Sequence, residues 1–177
     1  MRSMMKFLVY LLFLALPFQA VAVDATDAKN YTLGSGDKIR VTVFGEPYLS
    51  GEFTVNANGT VSLPLIEPVP VAGMTLSQAE GLIRDKLAAG FLGDPKVSVD
   101  ILEYRPFFIM GEVKNPGSYP YVANMTVLHA VAIAGGFTPR AAKSKILMQR
   151  GNQEDIPVKN STPVLPGDII TVEERFF

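Results

Sequence analysis

Between residues 38 and 44 the chain alternates. Ile39, Val41 and Val43 fall on one side, and Lys38, Arg40 and Thr42 on the other, the period-two signature of a strand with one buried face. Gly45-Glu46-Pro47 ends the run. Segments 53–55 and 60–65 flank Asn56-Ala57-Asn58-Gly59, and because Asn-Gly tolerates the positive backbone angles of a tight turn, a hairpin is predicted there. Pro64, Pro68 and Pro70 remove amide donors from the next stretch, which predicts an edge strand or an extended connection. Over 75–89 the period changes to that of a helix: Leu76, Ala79, Ile83 and Leu87 share one face with Leu82 beside them. Thr75 with Gln78, or Ser77 with Glu80, supplies a capping box, and Gly90 and Gly93 stop the helix. Alternation returns at 96–102 through Val97, Val99 and Ile101.

The second half repeats this plan in shorter form. A strand is predicted at 107–113 and its partner at 118–122, joined by a tight turn at Asn115-Pro116-Gly117, where proline presets one central angle and glycine permits the other. Thr126 caps a helix carrying Val127, Leu128, Val131 and Ile133, which Gly135-Gly136 terminates. Segments 146–149 and 156–158 form a hairpin around Gly151-Asn152-Gln153, and Pro166-Gly167-Asp168 leads into a last strand at 169–172. Strand pair, helix, strand pair and final strand is the order of a β-grasp unit. The fold class is therefore α+β, with a leader at 1–22, a first domain at 23–104 built from a sheet and one main helix, and a β-grasp domain at 105–177.

Composition changes the picture mainly at the amino terminus. Arg2 and Lys6 precede an apolar stretch at 7–18, and Ala20-Val21-Ala22 provides a small-x-small cleavage site, the pattern of a secretory signal peptide. The apolar stretch falls short of the roughly 20 residues a membrane-spanning helix needs. The mature chain is expected to begin near Val23 and to be exported. Without Arg2 and Lys6, fourteen basic residues face seventeen acidic ones, a net charge of about −3, which offers no basic footprint for nucleic acid. No cysteine is present, so disulfides, thiolate metal sites and cysteine nucleophiles are excluded.

Two copies of one pattern stand out: Gly36-Asp37-Lys38-Ile39-Arg40-Val41 and Gly167-Asp168-Ile169-Ile170-Thr171-Val172. Asp37 and Asp168 could pair as acid and base, but each follows a glycine at a strand start, where turn capping is the stronger reading. His129, the one histidine, lies beside apolar residues on a short helix and has no second histidine near it, which favours packing or exposure over catalysis. Tyr119 and Tyr121 are placed equally well to stack on sugar rings or to pack in the sheet. Phe176 and Phe177 form an aromatic end suited to docking on a neighbour. Neither Gly34-Ser35-Gly36-Asp37 nor Gly135-Gly136-Phe137 has the lysine and hydroxyl spacing of a phosphate loop. No catalytic residue, metal site or cofactor site is assigned.

The motifs carry a resemblance beyond their periodicity. Tyr31-Thr32-Leu33-Gly34-Ser35-Gly36-Asp37, Asn58-Gly59-Thr60-Val61 with Pro64, and Val71-Ala72-Gly73-Met74-Thr75-Leu76 resemble the export domain of outer-membrane polysaccharide export proteins of the Wza type. From Met110-Gly111-Glu112-Val113-Lys114-Asn115-Pro116-Gly117-Ser118-Tyr119, through Met125-Thr126-Val127-Leu128, Ala134-Gly135-Gly136-Phe137-Thr138 and Arg150, to Leu165-Pro166-Gly167-Asp168, the second half resembles the SLBB β-grasp repeat that follows that domain. Ser35 stands where the family often has proline, and Glu67 where it often has glycine. Longer members carry a lipidated cysteine, further β-grasp repeats and a carboxy-terminal membrane helix, and this sequence reads as a short form without them.

The resemblance implies a periplasmic, outer-membrane-associated component of a capsule or exopolysaccharide export system: a ring of identical subunits around a channel for hydrated glycan. It implies an inner-membrane polysaccharide co-polymerase as partner; for crossing the outer membrane, a separate β-barrel or a partner carrying the missing helix is the hypothesis. Glycan contacts in such a conduit are expected to be weak and repeated, since a tight site would trap the chain. A monomeric periplasmic glycan-binding protein is the second reading, and an enzyme acting on polysaccharide is a distant third.

Overall fold

The computed structural model describes residues 31–175; the expected leader and cleavage site, together with Phe176 and Phe177, lie outside them. The first alternating run forms β1 (Lys38–Val43), with Ile39, Val41 and Val43 buried. It is the centre of an antiparallel three-stranded sheet between β2 (Gly51–Thr54) and β5 (Val97–Glu103). On the polar face Lys38 and Arg40 reach Glu52 on β2 at 2.9 and 3.1 Å. These exposed pairs are screened by solvent and favour the register more than they add to stability.

Helix α1 (Leu76–Ala88) covers the other face through Ala79, Ile83 and Leu87. Its start is fixed by the capping box between Thr75 and Gln78: the Gln78 amide donates to Thr75 Oγ1 at 3.3 Å, and the Thr75 amide donates to Gln78 Oε1 at 2.8 Å. Glu80 does other work, since its Oε1 accepts from the Val99 amide at 2.9 Å and ties the helix to β5.

The Asn-Gly hairpin does not form as expected. β2 pairs with β1, whereas β3 (Thr60–Val61) pairs with β4 (Val69–Pro70) in a separate two-stranded ladder. The intervening turn is real but local. Asn56 Oδ1 accepts from the Asn58 and Thr60 amides, and Asn56 Nδ2 donates to Thr60 Oγ1. Once Asn56 satisfies the turn by itself, the strands on either side are free to take different partners. The proline stretch behaves as predicted, with Pro70 on a two-residue edge.

In the second half β6 (Phe107–Gly111), β7 (Gly117–Tyr119), α2 (Val127–Ile133), β8 (Ala141–Gln149), β9 (Ile156–Val158) and β10 (Ile169–Glu174) follow in sequence. The sheet order is β7-β6-β10-β8-β9, with β6 and β10 parallel at its centre and the other pairs antiparallel. This is the β-grasp order. β6 stops at Gly111, whose φ is +81° and where a Cβ would overlap the Val172 carbonyl oxygen. Gly117 differs from expectation: it is a β7 residue opposite Ile109 and not the positive-φ corner of a tight turn. The segment before it is held elsewhere, because the Lys114 and Asn115 amides donate to the carbonyls of Gly136 and Ala134 after α2. His129 completes the start of α2, its Nδ1 accepting from the Thr126 amide at 3.2 Å.

Two buried clusters result. One gathers Leu33, Ile39, Val41, Ile83 and Leu87 with their neighbours, and the other gathers Phe107, Ile109, Val131, Met148 and Ile170 with theirs. The mixed α+β class and the order of a sheet-and-helix unit followed by a β-grasp unit agree with the reading of the sequence.

Candidate functional site

The two Gly-Asp copies build the same small object twice. In residues 34–37 the Asp37 amide donates to the Gly34 carbonyl at 3.1 Å, and Asp37 Oδ2 accepts from the Gly34 amide at 2.8 Å. In residues 165–168 the Asp168 amide donates to the Leu165 carbonyl at 3.1 Å, and Asp168 Oδ2 accepts from the Leu165 amide at 2.7 Å. The third residue of each turn is a glycine at positive φ, +96° at Gly36 and +86° at Gly167, as a turn with its third residue in that region requires. Each aspartate thus closes its own turn from both backbone and side chain.

Both carboxylates are buried, at 0% and 1% exposure, and each is met by an arginine. Arg150 approaches Asp168 with a two-pronged fork, Nε to Oδ1 at 2.9 Å and Nη2 to Oδ2 at 2.8 Å, and its Nη2 also donates to the Pro163 carbonyl. The hydrogen bonds to Asp168 hold the Arg150 guanidinium above its ordinary pKa. Asp37 accepts four bonds: from Tyr31 Oη at 2.7 Å, the Gly34 amide, the Arg105 amide at 2.8 Å, and Arg105 Nη1 at 3.0 Å. A carboxylate offers about four lone-pair sites, so Asp37 is saturated. The acid–base pairing considered for the two aspartates has no support here, since each is committed to a structural cation and a turn.

Arg105 also joins the two halves, and periodicity gave no sign of it. Its guanidinium lies against both turns: a Cβ on Gly34 would overlap Nη1, and a Cβ on Gly167 would sit 2.8 Å from Nε. The same side chain donates to Tyr31 Oη at 2.8 Å and lies 5.5 Å from the Tyr31 ring centre. Burial, reinforced by the hydrogen bond to Asp37, pushes the Tyr31 hydroxyl far above its ordinary pKa. An edge-on aromatic chain continues from Tyr31 to Tyr104 at 5.0 Å and on to Tyr121 at 5.2 Å. The two copies of the pattern, 131 positions apart, therefore meet on one arginine. One signal was available: a buried aspartate requires a cation, and Tyr104-Arg105-Pro106 stands between the two units.

The remaining candidates are dispersed. Tyr119 stacks on Phe107 with centroids 6.0 Å apart and donates its hydroxyl to the Asn115 carbonyl, while Tyr121 belongs to the aromatic chain. Asn58 and Gly59 lie in the Asn56 turn, with Pro64 exposed beyond it and Gly73 in the turn before α1. Gly111 ends β6, Pro116 precedes β7 and Gly117 opens it, while Gly135 and Gly136 follow α2, where the Gly136 carbonyl accepts from the Lys114 amide. Among the described residues no group of three or more His, Cys, Asp or Glu side chains is placed to hold a metal ion, and no helix is long and apolar enough to cross a membrane. A cleft of about 900 Å³ beside β8 and β9 lies away from the junction.

Comparison with known proteins agrees with this architecture. Residues 25–102 match the family model for polysaccharide biosynthesis/export proteins, and residues 106–159 match that of the SLBB domain. The exopolysaccharide production protein ExoF of Rhizobium meliloti (strain 1021) is 38% identical over 121 residues, covering 62% of this chain and 29% of that protein. Two polysialic acid transport proteins KpsD of Escherichia coli are each 32% identical over 127 residues, covering 70% of this chain and 23% of theirs. The chain thus spans less than a third of the length of these relatives. With both family matches in order, on two adjoining α+β units, the chain belongs to the polysaccharide export protein family and carries an export domain followed by an SLBB domain.

Proposed function

We propose that this protein is a periplasmic component of a capsule or exopolysaccharide export system, in which identical subunits form a ring that passes glycan towards the outer membrane. The observation that carries the reading is the succession of an export-domain match over residues 25–102 and an SLBB match over residues 106–159 on one chain, with the half-buried Arg105 between them paired to the buried Asp37. A conduit subunit must keep a fixed angle between its parts for the ring to close by rotation. The names of the relatives, exopolysaccharide production and polysialic acid transport, point to the same cargo class. Phe44 and Tyr48, 82% and 90% exposed, stand on a β1–β2 loop braced by Ser50, whose hydroxyl bonds the backbone at Val43 and Glu46. They supply apolar surface suited to contact between subunits. An inner-membrane co-polymerase would feed the ring, and a separate outer-membrane β-barrel would open it to the exterior. The protein performs no chemistry on the glycan and needs no cofactor.

The mass of the purified mature protein, measured alone and with its inner-membrane partner, tests the ring. Discrete oligomers are expected, and a persistent monomer under both conditions would return the reading to a glycan-binding protein acting singly. Deleting the gene is expected to leave polymer of normal chain length inside the cell; altered length or linkage would indicate an enzyme.

A further inference from the structure

β8 is longer than its edge partner. Only Ile146, Leu147 and Met148 pair with β9, so the first part of β8, from Ala141 to Lys145, runs on beside an open groove. That groove is the cleft of about 900 Å³, a size at which small-ligand sites are found. Its charged lining is of one sign: Lys143 and Lys145 from β8, Lys159 from the chain after β9, and Arg175 after β10, with no carboxylate among the lining residues. The three lysines are exposed, and none has a carboxylate partner among the described residues. Nearby Glu174 is engaged by Arg140, and Glu112 by the Thr138 hydroxyl. A concentration of positive charge in a chain whose formal net charge is −1 marks this face off from the molecule as a whole.

We infer that this cleft takes a segment of an acidic sugar chain, a polymer bearing carboxylates at regular intervals, and that the lysines rank acidic above neutral glycan. The inference rests on the export reading and adds to it the charge class of the cargo. Lysine suits a site that must hold and release, because an ammonium is a strongly hydrated point charge on a flexible stem, without the fixed fork by which arginine locks a carboxylate. Solvent-exposed contacts of this kind are individually weak and screened by salt, so a chain can be held at one sugar and released to the next. Ala141 and Ala142, with their small side chains, leave room in the groove, and Ser144 and Asn160 add neutral groups able to bond sugar hydroxyls.

The test uses the full mature chain and defined probes: hexagalacturonate, neutral maltohexaose and a short polyglutamate. In amide spectra of the wild-type protein, hexagalacturonate should shift residues 138–145 and 158–160, with binding that weakens as salt rises. The Lys143→Gln/Lys145→Gln/Lys159→Gln variant keeps the aliphatic stems and should bind it about tenfold or more weakly, while maltohexaose should bind neither protein measurably. Equal binding of maltohexaose and hexagalacturonate, shifts confined to another surface, undiminished binding by the triple variant, or no binding of hexagalacturonate at millimolar concentration would each overturn the inference. So would polyglutamate binding as tightly as the uronate, which would make the cleft a general anion surface. Complementing a deletion strain separates this inference from the reading beneath it. Normal export without the gene removes the export reading itself, whereas export restored fully by the triple variant removes only the charged-cargo inference.

Discussion

At the scale of single residues the protein resolves one problem twice: a carboxylate taken fully out of water. Desolvating an ionised group costs several kcal/mol unless opposite charge and hydrogen bonds replace the lost water. Asp37 and Asp168 each obtain both, from an arginine and from the turn they close. Tyr31 makes the first site sensitive to alkali, because its hydroxyl donates to Asp37 and accepts from Arg105. Its pKa is raised in the folded protein, so this contribution is complete below the unfolded value near 10.0 and is lost as pH climbs beyond it. Tyr31→Phe should therefore lower stability by about 1 kcal/mol at neutral pH. The gap between variant and wild type, followed by urea titration at a series of pH values, should shrink above pH 10.0. A gap that stayed constant to higher pH would remove Tyr31 from the network.

At the scale of elements, what was legible was local. β1 announces itself by strict alternation, and α1 by its apolar face and a capping box whose four residues are consecutive. The β-grasp order was legible because each element carries its own turn or cap. The pairing of β3 with β4 was not, since Asn56 closes the turn without committing its flanking strands to each other, and a two-residue ladder leaves no period to read. Arg105 was invisible for a related reason: one cation in an aperiodic connector gains its meaning only from turns that lie 68 and 62 positions away in sequence. The central parallel pair offers a sharp test at this scale. Gly111 combines φ +81° with direct contact between its backbone and Val172, whereas Gly45 has φ +82° and open space around it. Gly45→Ala should cost about 1 kcal/mol, the penalty for the left-handed conformation alone. Gly111→Ala adds an overlap with backbone that cannot swing aside and should cost on the order of 3 kcal/mol or more. Equal melting shifts in the two variants would show that β6 and β10 can part at little cost.

At the scale of the whole molecule the question is whether two cores behave as one body. Each core is large enough to unfold by itself, and domains of one chain move independently unless the interface between them is substantial. Here the interface is small and half-buried, with only the Asp37 carboxylate fully out of water: Arg105 between the Gly34 and Gly167 turns, and the Tyr31–Tyr104–Tyr121 chain beside it. Removing one partner of a buried ion pair typically costs 3–5 kcal/mol, because the other charge stays behind unpaired. In Arg105→Ala that loss falls on the first unit, which keeps Asp37, while the second unit keeps its own Asp168–Arg150 pair intact. The chain contains no tryptophan, so Phe53→Trp in the first core and Phe137→Trp in the second give each unit its own fluorescence reporter. With Arg105 present, both reporters should share one urea midpoint. With alanine in its place the first reporter should unfold at clearly lower urea, leaving the second near its original midpoint. Coincident midpoints in the Arg105→Ala background would mean that the coupling runs through the tyrosines or the backbone. The arginine would then be a local counterion of Asp37 alone, and the fixed angle that a closing ring of subunits demands would have to come from elsewhere.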